Sequence, residues 1–260
     1  MKKLYLFLLC LCSLSSSAQA LYFGNPAEAD LIEEGFFMPD DAIMKVKLGY
    51  IGDIVFDRRL KAYAGAAGNL NNFSFRANQG LLTLVFIDRI EAFGSVGAAK
   101  FNFVFHPRPD HPRREYQSFE RVTWGTGLRG TLFQINHVTV GMEGGFQWAN
   151  PHFRLDAFDV PLYNAPSRMK YREWQLGIGA TYQIDDFFPY VGVKYSYVKG
   201  KMIAPRISAQ VPHAHFNLRS RDHFGIVLGC TLTTGKIFDI TAESRLIDEE
   251  SVSFAGNIKF

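Results

Sequence analysis

The chain has 260 residues, of which 47% are hydrophobic and 15% aromatic, so it can bury a large apolar surface. That length fits one barrel or at most two small domains. Lys and Arg together number 28 against 25 Asp and Glu, and the resulting net charge of +3 argues against a nucleic-acid partner.

Residues 1–20 have the pattern of a cleaved signal peptide. Lys2 and Lys3 form a basic end, residues 4–14 are largely apolar, and residues 17–20 (SAQA) offer a small-residue cleavage site. An uncleaved membrane anchor is the alternative, but the apolar run is about a dozen residues and spanning needs about 20. The mature chain is therefore expected to begin at Leu21.

Cleavage at that point would also remove two of the three cysteines. Cys10 and Cys12 lie in the leader, and Cys230 would remain alone in the mature chain. An intramolecular disulfide is then excluded, so the fold has to be stabilised without that cross-link.

Residues 42–260 alternate apolar and polar side chains, which is the pattern of β-strands with two different faces. The period begins at Met44 and is clearest over 138–148, 174–184, 191–197, 224–232, 238–246 and 252–260. No segment here has 18 consecutive apolar residues, so a helical span is not predicted. The preceding residues 21–41 are expected to form an N-terminal periplasmic segment, in which residues 30–35 could alternatively form a plug.

Alternation alone does not separate a soluble lipocalin-like barrel from a membrane barrel. Three features favour the membrane: charges of both signs on the polar face, aromatic residues near strand ends, and a last strand that ends on Phe260 with Ile258 two residues earlier. The last feature resembles the signal by which bacterial outer-membrane barrels are assembled. The prediction is an antiparallel transmembrane β-barrel in the outer membrane of a Gram-negative-type bacterium.

Short polar links near 88–89, 134–136, 185–186 and 234–236 alternate with longer ones at 62–72, 106–116, 149–169 and 203–219. Short periplasmic turns and long external loops are typical of such barrels. The segments between them predict about ten to twelve strands, or up to 16 if short strands lie within the loops. Residues 90–105 change phase midway, for which a β-bulge is the expected explanation.

Specific strings add a family resemblance. They are GNPAEADLIEEGFF, KVKLGYIGDIVFDRRLK, DRIEAFGSVGA, YREWQLGIGATYQIDDFFPYVGVKYS, SRDHFGIVLG and AESRLIDEESVSFAGNIKF. Together they span roughly half of the mature chain, and in order they resemble the chlamydial major outer membrane protein family, a group of porins. The resemblance implies diffusion of ions and small hydrophilic solutes through a water-filled barrel, in a family whose members can form trimers.

The chain departs from that family in two ways. It is much shorter, and it keeps only Cys230 where the family is cysteine-rich and cross-linked by disulfides. A cross-linking role is therefore not expected, and these two departures weaken the prediction of a trimer. Cys230 is expected to face lipid or a neighbouring subunit, where an intermolecular bond would need a symmetric contact.

Charged residues on the polar face are the candidate functional residues, because rings of charge in a lumen set ion preference. In a narrow barrel the same residues would instead pair and fill the lumen, since an unpaired buried charge is costly. By strand phase the proposed lumen residues are Lys45, Lys47, Asp53, Asp57, Arg59, Arg121, Arg129, Glu143, Glu173, Lys194, Asp239, Glu243, Arg245 and Lys259.

No other constellation carries comparable chemistry. His213 and His215 make an incomplete metal site, no nucleophile stands beside a base, and no cofactor motif is present. The chain is expected not to be an enzyme and to meet outer-membrane lipid, the barrel-assembly machinery and small solutes. Two functions stay open: a porin-like diffusion channel, and a structural or adhesive surface protein with a closed, salt-bridged lumen and partner-binding loops.

Overall fold

The computed structural model describes residues 22–27, 43–63, 69–106, 114–157, 160–161, 167–203, 215–233 and 237–260. Within them no helix is long and apolar enough to cross a membrane. The strands are β1 (Met44–Arg58), β2 (Leu60–Tyr63), β3 (Asn69–Phe86), β4 (Ile90–His106), β5 (Arg114–Ser118), β6 (Arg121–Ile135), β7 (Val138–Ala149), β8 (His152–Ala157), β9 (Val160–Pro161), β10 (Ser167–Tyr182), β11 (Phe187–Ile203), β12 (His215–Ser220), β13 (Phe224–Thr233), β14 (Phe238–Leu246) and β15 (Glu249–Lys259).

All fifteen strands belong to one antiparallel sheet, and that sheet is closed. β1 pairs with β3 on one side and with β15 on the other, so the first and last long strands meet. The long strands of the ring are β1, β3, β4, β6, β7, β10, β11, β13, β14 and β15. The predicted transmembrane β-barrel of about ten to twelve strands is confirmed, with ten long strands among the described residues.

The short strands lengthen the barrel and add no strand to the ring of long ones. β2 continues β1 after residue 59, β8 continues β7, and β5 and β12 precede β6 and β13 in the same way. Much of the sequence predicted as long loops at 62–72, 106–116, 149–169 and 203–219 is therefore strand. On one side the barrel extends beyond the hairpin formed by β14 and β15, and in this extension β2 and β12 pair directly with each other.

The turn between β14 and β15 is recessed into the barrel. Asp248 in this turn is completely buried, and its carbonyl accepts a hydrogen bond from the backbone N of Arg59 at 3.2 Å. The carbonyl of Arg59 in turn accepts one from the N of Arg221 at 2.8 Å. The turn thus lies below the β2–β12 pair and contributes side chains to the interior.

The opposite end of the barrel has the tight turns and the C-terminus. Ile87 and Asp88 both have positive φ, as a two-residue turn of a twisted hairpin requires, and Asn136 and Asp185 provide positive φ in the next two turns. The short links at 88–89, 134–136 and 185–186 lie here, whereas 234–236 are outside the described residues. We call this the inner end, because short turns face the periplasm in such barrels, and the other the outer end.

The wall is apolar outside and largely polar inside. Leu128, Trp174 and Phe254 are each more than half exposed, while their neighbours along the strands point inward and are buried. Continuous exposed apolar surface of this extent is unfavourable in water but matches hydrocarbon. A membrane barrel, rather than a soluble one, is what this arrangement requires.

The strand over residues 90–106 needs no bulge, so that prediction was wrong. Glu91, Phe93, Ala99, Phe101 and Phe105 all point inward in one uninterrupted phase. The apparent change of phase arises because the interior itself changes from polar to apolar along this strand. The bulges lie elsewhere, including one in β1 between Val55 and Asp57 and one in β3 between Asn71 and Ser74.

Candidate functional site: the barrel interior

The interior of the barrel is filled in two layers. The inner part contains charged side chains together with residues 22–27, and the outer part contains an apolar cluster. Seven buried basic residues meet eight buried acidic ones among the described residues, so the layer is close to neutral and its charges can pair. The buried basic residues are Lys45, Lys47, Arg58, Arg129, Lys194, Arg245 and Lys259, and the acidic ones Asp53, Glu91, Glu143, Glu173, Asp239, Glu243, Asp248 and Glu249.

Eleven of the fourteen residues proposed to line the lumen are in this interior. They are buried to within 6% exposure and come from strands all round the ring. They are Lys45, Lys47, Asp53, Arg129, Glu143, Glu173, Lys194, Asp239, Glu243, Arg245 and Lys259.

The other three are placed elsewhere, and the prediction for them needs correction. The bulge after Val55 shifts the phase of β1 by one residue, so Arg58 points inward, while Asp57 is half-buried and the Arg59 side chain is 39% exposed. Arg121 is exposed at the break between β5 and β6.

Arg58 is at the centre of an ionic cluster beneath the apolar layer. It donates to Glu173 and Asp248, each at 2.5 Å, and to the hydroxyl of Ser196 at 2.8 Å. Lys194 joins the cluster through Asp248 at 3.2 Å and through Glu249. Asp248 in the recessed β14–β15 turn and the adjacent Glu249 thus supply carboxylates to cations on two strands, β1 and β11.

A second ionic group lies nearer the inner end. Arg129 pairs with Glu91 at 3.0 Å and with Glu143 at 3.3 Å, and Lys47 also pairs with Glu91 at 2.7 Å. Arg245 pairs with Asp53 at 2.6 Å and with Glu249 at 2.8 Å, and through Glu249 it extends the first cluster. In the part of the chain that the structure describes, these paired charges are almost completely buried and fill this region of the lumen.

The apolar layer closes the outer part of the barrel. Phe73, Phe101, Phe103 and Tyr171 pack with ring centroids 5.7 to 6.1 Å apart, and Phe103 stacks on Tyr116 at 4.8 Å. All of these are at most 1% exposed. They form a dry aromatic core like that of a soluble protein, inside a membrane barrel.

Residues 22–27 enter the barrel from the inner end and are buried throughout. The backbone N–H groups of Phe23 and Gly24 donate to the carboxylate of Glu243 at 3.1 and 2.8 Å, and Arg129 donates to the carbonyl of Phe23 at 2.8 Å. Asn25 bonds to wall residues on three strands. The segment predicted as periplasmic (21–41) is thus inside the barrel over 22–27, and its remainder is outside the described residues.

Glycines in the wall make room for this segment. A Cβ on Gly192 would lie 3.0 Å from two atoms of the Phe23 ring, and one on Gly179 would lie 2.7 Å from Pro26. Gly179 and Gly192 are direct cross-strand partners on β10 and β11. The absence of side chains here creates a flat surface on which Phe23 and Pro26 pack.

Sequence reasoning missed Arg58, Glu91, Asp248 and Glu249. Arg58 was hidden by the bulge and Glu91 by the apparent phase change of β4. Asp248 lies in the β14–β15 turn, which has no period, and Glu249 is the first residue of β15, where it shares the inward phase of Ser251 and Ser253. The string RLIDE, which contains both turn residues, was a signal that could have identified them.

Among the described residues, no group of three or more His, Cys, Asp or Glu is placed to hold a metal ion. His213 is outside the described residues, as is the side chain of His215. Cys230 is free and half-buried on β13, next to Pro189 and Ala242 on the neighbouring strands.

Comparison with known proteins finds outer-membrane porins among the relatives of this chain, although no family model matches it. It is 24% identical to the major outer membrane porin, serovar F, of Chlamydia trachomatis, with 100% of both chains covered. It is also 24% identical to the major outer membrane porin of Chlamydia psittaci, with 94% of this chain and 95% of the relative covered. The chain is a distant relative of the chlamydial major outer membrane porins.

The first of these alignments spans 399 positions, so at least 139 of them are gaps in this chain, which is shorter than this relative. The chain is accordingly an outer-membrane protein, surrounded by outer-membrane lipid.

Solved structures of outer-membrane barrels resemble the fold at low scores. The translocator domain of the autotransporter NalP from Neisseria meningitidis has a TM-score of 0.45 at 10% identity, covering 84% of this chain and 88% of that one. An outer membrane channel from Pseudomonas putida F1 has a TM-score of 0.44 at 11% identity, covering 91% and 100%. Neither supports an inference about activity.

Proposed function

We propose that the chain is a porin-type channel for ions and small hydrophilic solutes that is closed in the conformation described here. The observation that carries this proposal is the position of residues 22–27, which occupy a charged interior without being part of the wall. A segment that forms no strand of the ring can leave without unpairing the barrel. Its departure would leave space lined by Glu243, Arg129, Tyr190 and Thr231 in the inner half.

The proposal assigns the charged interior residues to solute contact once this segment has left. Besides the eleven buried residues predicted from the sequence, it includes Arg58, Glu91, Asp248 and Glu249. Because basic and acidic residues are nearly equal in number, we expect weak selectivity between small cations and anions. The chain is proposed to act by diffusion alone, without catalysis.

Removal of the leader fits the same interior. Cleavage before Leu21 would place a positively charged α-amino group one residue from Tyr22, which is buried in the barrel. We therefore propose residues 1–20 as the signal peptide and Leu21 as the first residue of the mature chain.

Two further assignments are proposed. Ile258 and Phe260 would serve as the signal read by the barrel-assembly machinery, and the backbone N–H of Phe260 donates a 2.8 Å hydrogen bond to the carbonyl of Val46. The second is a homo-oligomer, by analogy with family members that form trimers.

The second candidate function is a sealed structural or adhesive surface barrel. The aromatic layer favours it, because Phe73, Phe101 and Phe103 belong to the wall itself and stay in place when residues 22–27 leave. The two candidates differ in a measurable way: a channel conducts when the segment is displaced, and a sealed barrel does not.

Planar-bilayer recording of the purified protein tests this difference. The wild-type protein is expected to show infrequent conductance steps, and Gly192→Val to show them far more often, because a side chain there overlaps the Phe23 ring. Gly80→Val is the matched control, since a Cβ at Gly80 meets only one atom, at 3.9 Å. Heat-modifiable gel migration shows whether each protein is folded. If folded wild type and folded Gly192→Val both show no conductance steps, the barrel is sealed and the channel proposal is wrong.

A further inference from the structure

The outward face of β10 and β11 changes abruptly from apolar to basic toward the outer end. On β10, Trp174, Leu176 and Ile178 are followed in the same phase by exposed Arg172, Lys170 and Arg168. On β11, Val191, Val193 and Tyr195 are followed by Tyr197 and then by exposed Lys199 and Lys201. Trp174 and Tyr197 are cross-strand partners at the boundary, where aromatic residues mark the bilayer interface.

Just beyond this boundary, four cations form a row across four neighbouring strands. Arg172 is paired in register with Lys199, Lys199 with Arg219, and Arg219 with Lys61. All four side chains are exposed on the outward face, and strands about 4.8 Å apart give the row a width of about 14 Å. We call these four residues the cationic row.

Like charges directly opposite one another on paired strands are destabilising, so a row of four needs a counter-charge. Among the described residues none of the four forms an ion pair with an acidic side chain, and the exposed Asp222 and Glu250 pair with Arg59 instead, at 3.8 and 3.7 Å. The links at 64–68 and 204–214 contain no Asp or Glu. The neutralising anion therefore has to come from outside these parts of the chain.

The row is also shaped for an anion. The guanidinium carbon of Arg219 lies 3.9 Å from the centroid of the Tyr63 ring, which supports it in a fixed orientation. Arginine can donate two parallel hydrogen bonds to a phosphate, and lysine adds a mobile point charge on each side. A second pair of cations, Lys170 opposite Lys201, lies two residues further out along the same two strands.

We propose that the cationic row binds the phosphate groups of a phosphorylated lipid of the outer leaflet. Its position supports a lipid, because it lies two residues, or about 7 Å, beyond the Trp174–Tyr197 pair, at the depth of the headgroups. The apolar surface below it would accommodate the acyl chains of the same molecule. This inference concerns the outside of the barrel and does not depend on whether the lumen conducts.

Native mass spectrometry of the detergent-solubilised full chain tests the proposal, with phosphorylated lipid A and the same lipid after removal of its phosphates as probes. Wild-type protein is expected to retain phosphorylated lipid A, and K199Q/R219Q to bind it about tenfold or more weakly, since each cation near an anionic lipid surface contributes to binding. R89Q/K236Q removes the same charge from the β3–β4 turn and from the link after β13, and it should bind like wild type.

Each alternative outcome overturns the proposal. Equal binding of lipid A with and without phosphates would show that only the apolar wall holds the lipid. Equal weakening in both double variants would show an effect of net charge rather than of the row. Saturation by inorganic phosphate, with no further gain from the lipid, would identify a phosphate site that does not recognise lipid. Gel migration before and after heating confirms that every variant is folded.

Discussion

Replacing Phe23 by alanine is expected to release residues 22–27 from the barrel about a hundred times more often than in the wild type. Phe23 is 1% exposed and packs against Gly177 and Gly192. Truncation of a buried phenylalanine costs about 3 kcal/mol or more, and 2.8 kcal/mol corresponds to a factor of about 100 in an equilibrium. The hydrogen bonds from the backbone of Phe23 and Gly24 to Glu243 involve no side chain of the segment and would remain.

Release is measured independently of conduction by a cysteine at position 27. Ala27 is buried, so Ala27→Cys in a Cys230→Ser background should react slowly with a polar thiol reagent. Adding Phe23→Ala should accelerate the reaction by about two orders of magnitude, as the equilibrium argument above requires. Phe56→Ala is the matched control, because Phe56 is 56% exposed on the outer face.

The pair of readouts separates the possible roles of the segment. Fast labelling together with frequent conductance steps supports a gated channel, and fast labelling of a silent barrel supports the sealed alternative. An unchanged labelling rate in Phe23→Ala would contradict the gated channel, since the segment would then be a permanent part of the core. Combining Phe23→Ala with Gly192→Val should add little to the larger single effect, because both act on one contact.

The barrel itself was predictable because its signal is distributed over the whole chain. A two-residue period places Lys194, Glu243 and Arg245 inward wherever the strand is regular, and the structure places them there. Each strand has its own alternation of apolar and polar residues, so a wrong assignment in one strand did not change the assignment of the others. The short polar links predicted which end of the barrel has the tight turns, and the structure shows Asp88, Asn136 and Asp185 there with positive φ.

Features that depend on residues close in space but distant in sequence could not be predicted from the sequence. The bulge in β1 is set by its pairing with β15, which no local pattern records, and it exchanges Asp57 and Arg59 for Arg58 in the interior. The phenylalanines of β4 resembled a lipid-facing strand, because period alone does not report whether an interior is wet or apolar. Residues 22–27 form no strand, so nothing periodic marked them as interior.

Arg58 and Arg59 provide a direct test of that bulge, since they are adjacent in sequence and differ in every contact. Arg58→Gln should destabilise the folded barrel by about 3 to 5 kcal/mol, because it leaves Glu173 and Asp248 buried beside a neutral partner. Arg59→Gln should change stability by about 1 kcal/mol or less, since its side chain is 39% exposed and its ion pairs are 3.7 and 3.8 Å long.

Urea titration of the two variants in the same detergent, followed by gel migration of the folded and unfolded forms, measures this difference. Arg58→Lys refines the result, because lysine keeps the charge but reaches one carboxylate at a time, so an intermediate loss is expected. A larger effect at Arg59 than at Arg58 would mean that β1 continues in its original phase and that Asp57 and Arg59 face the lumen. The ionic cluster below the aromatic layer would then lack its central cation, and the closed interior derived from it would have to be abandoned.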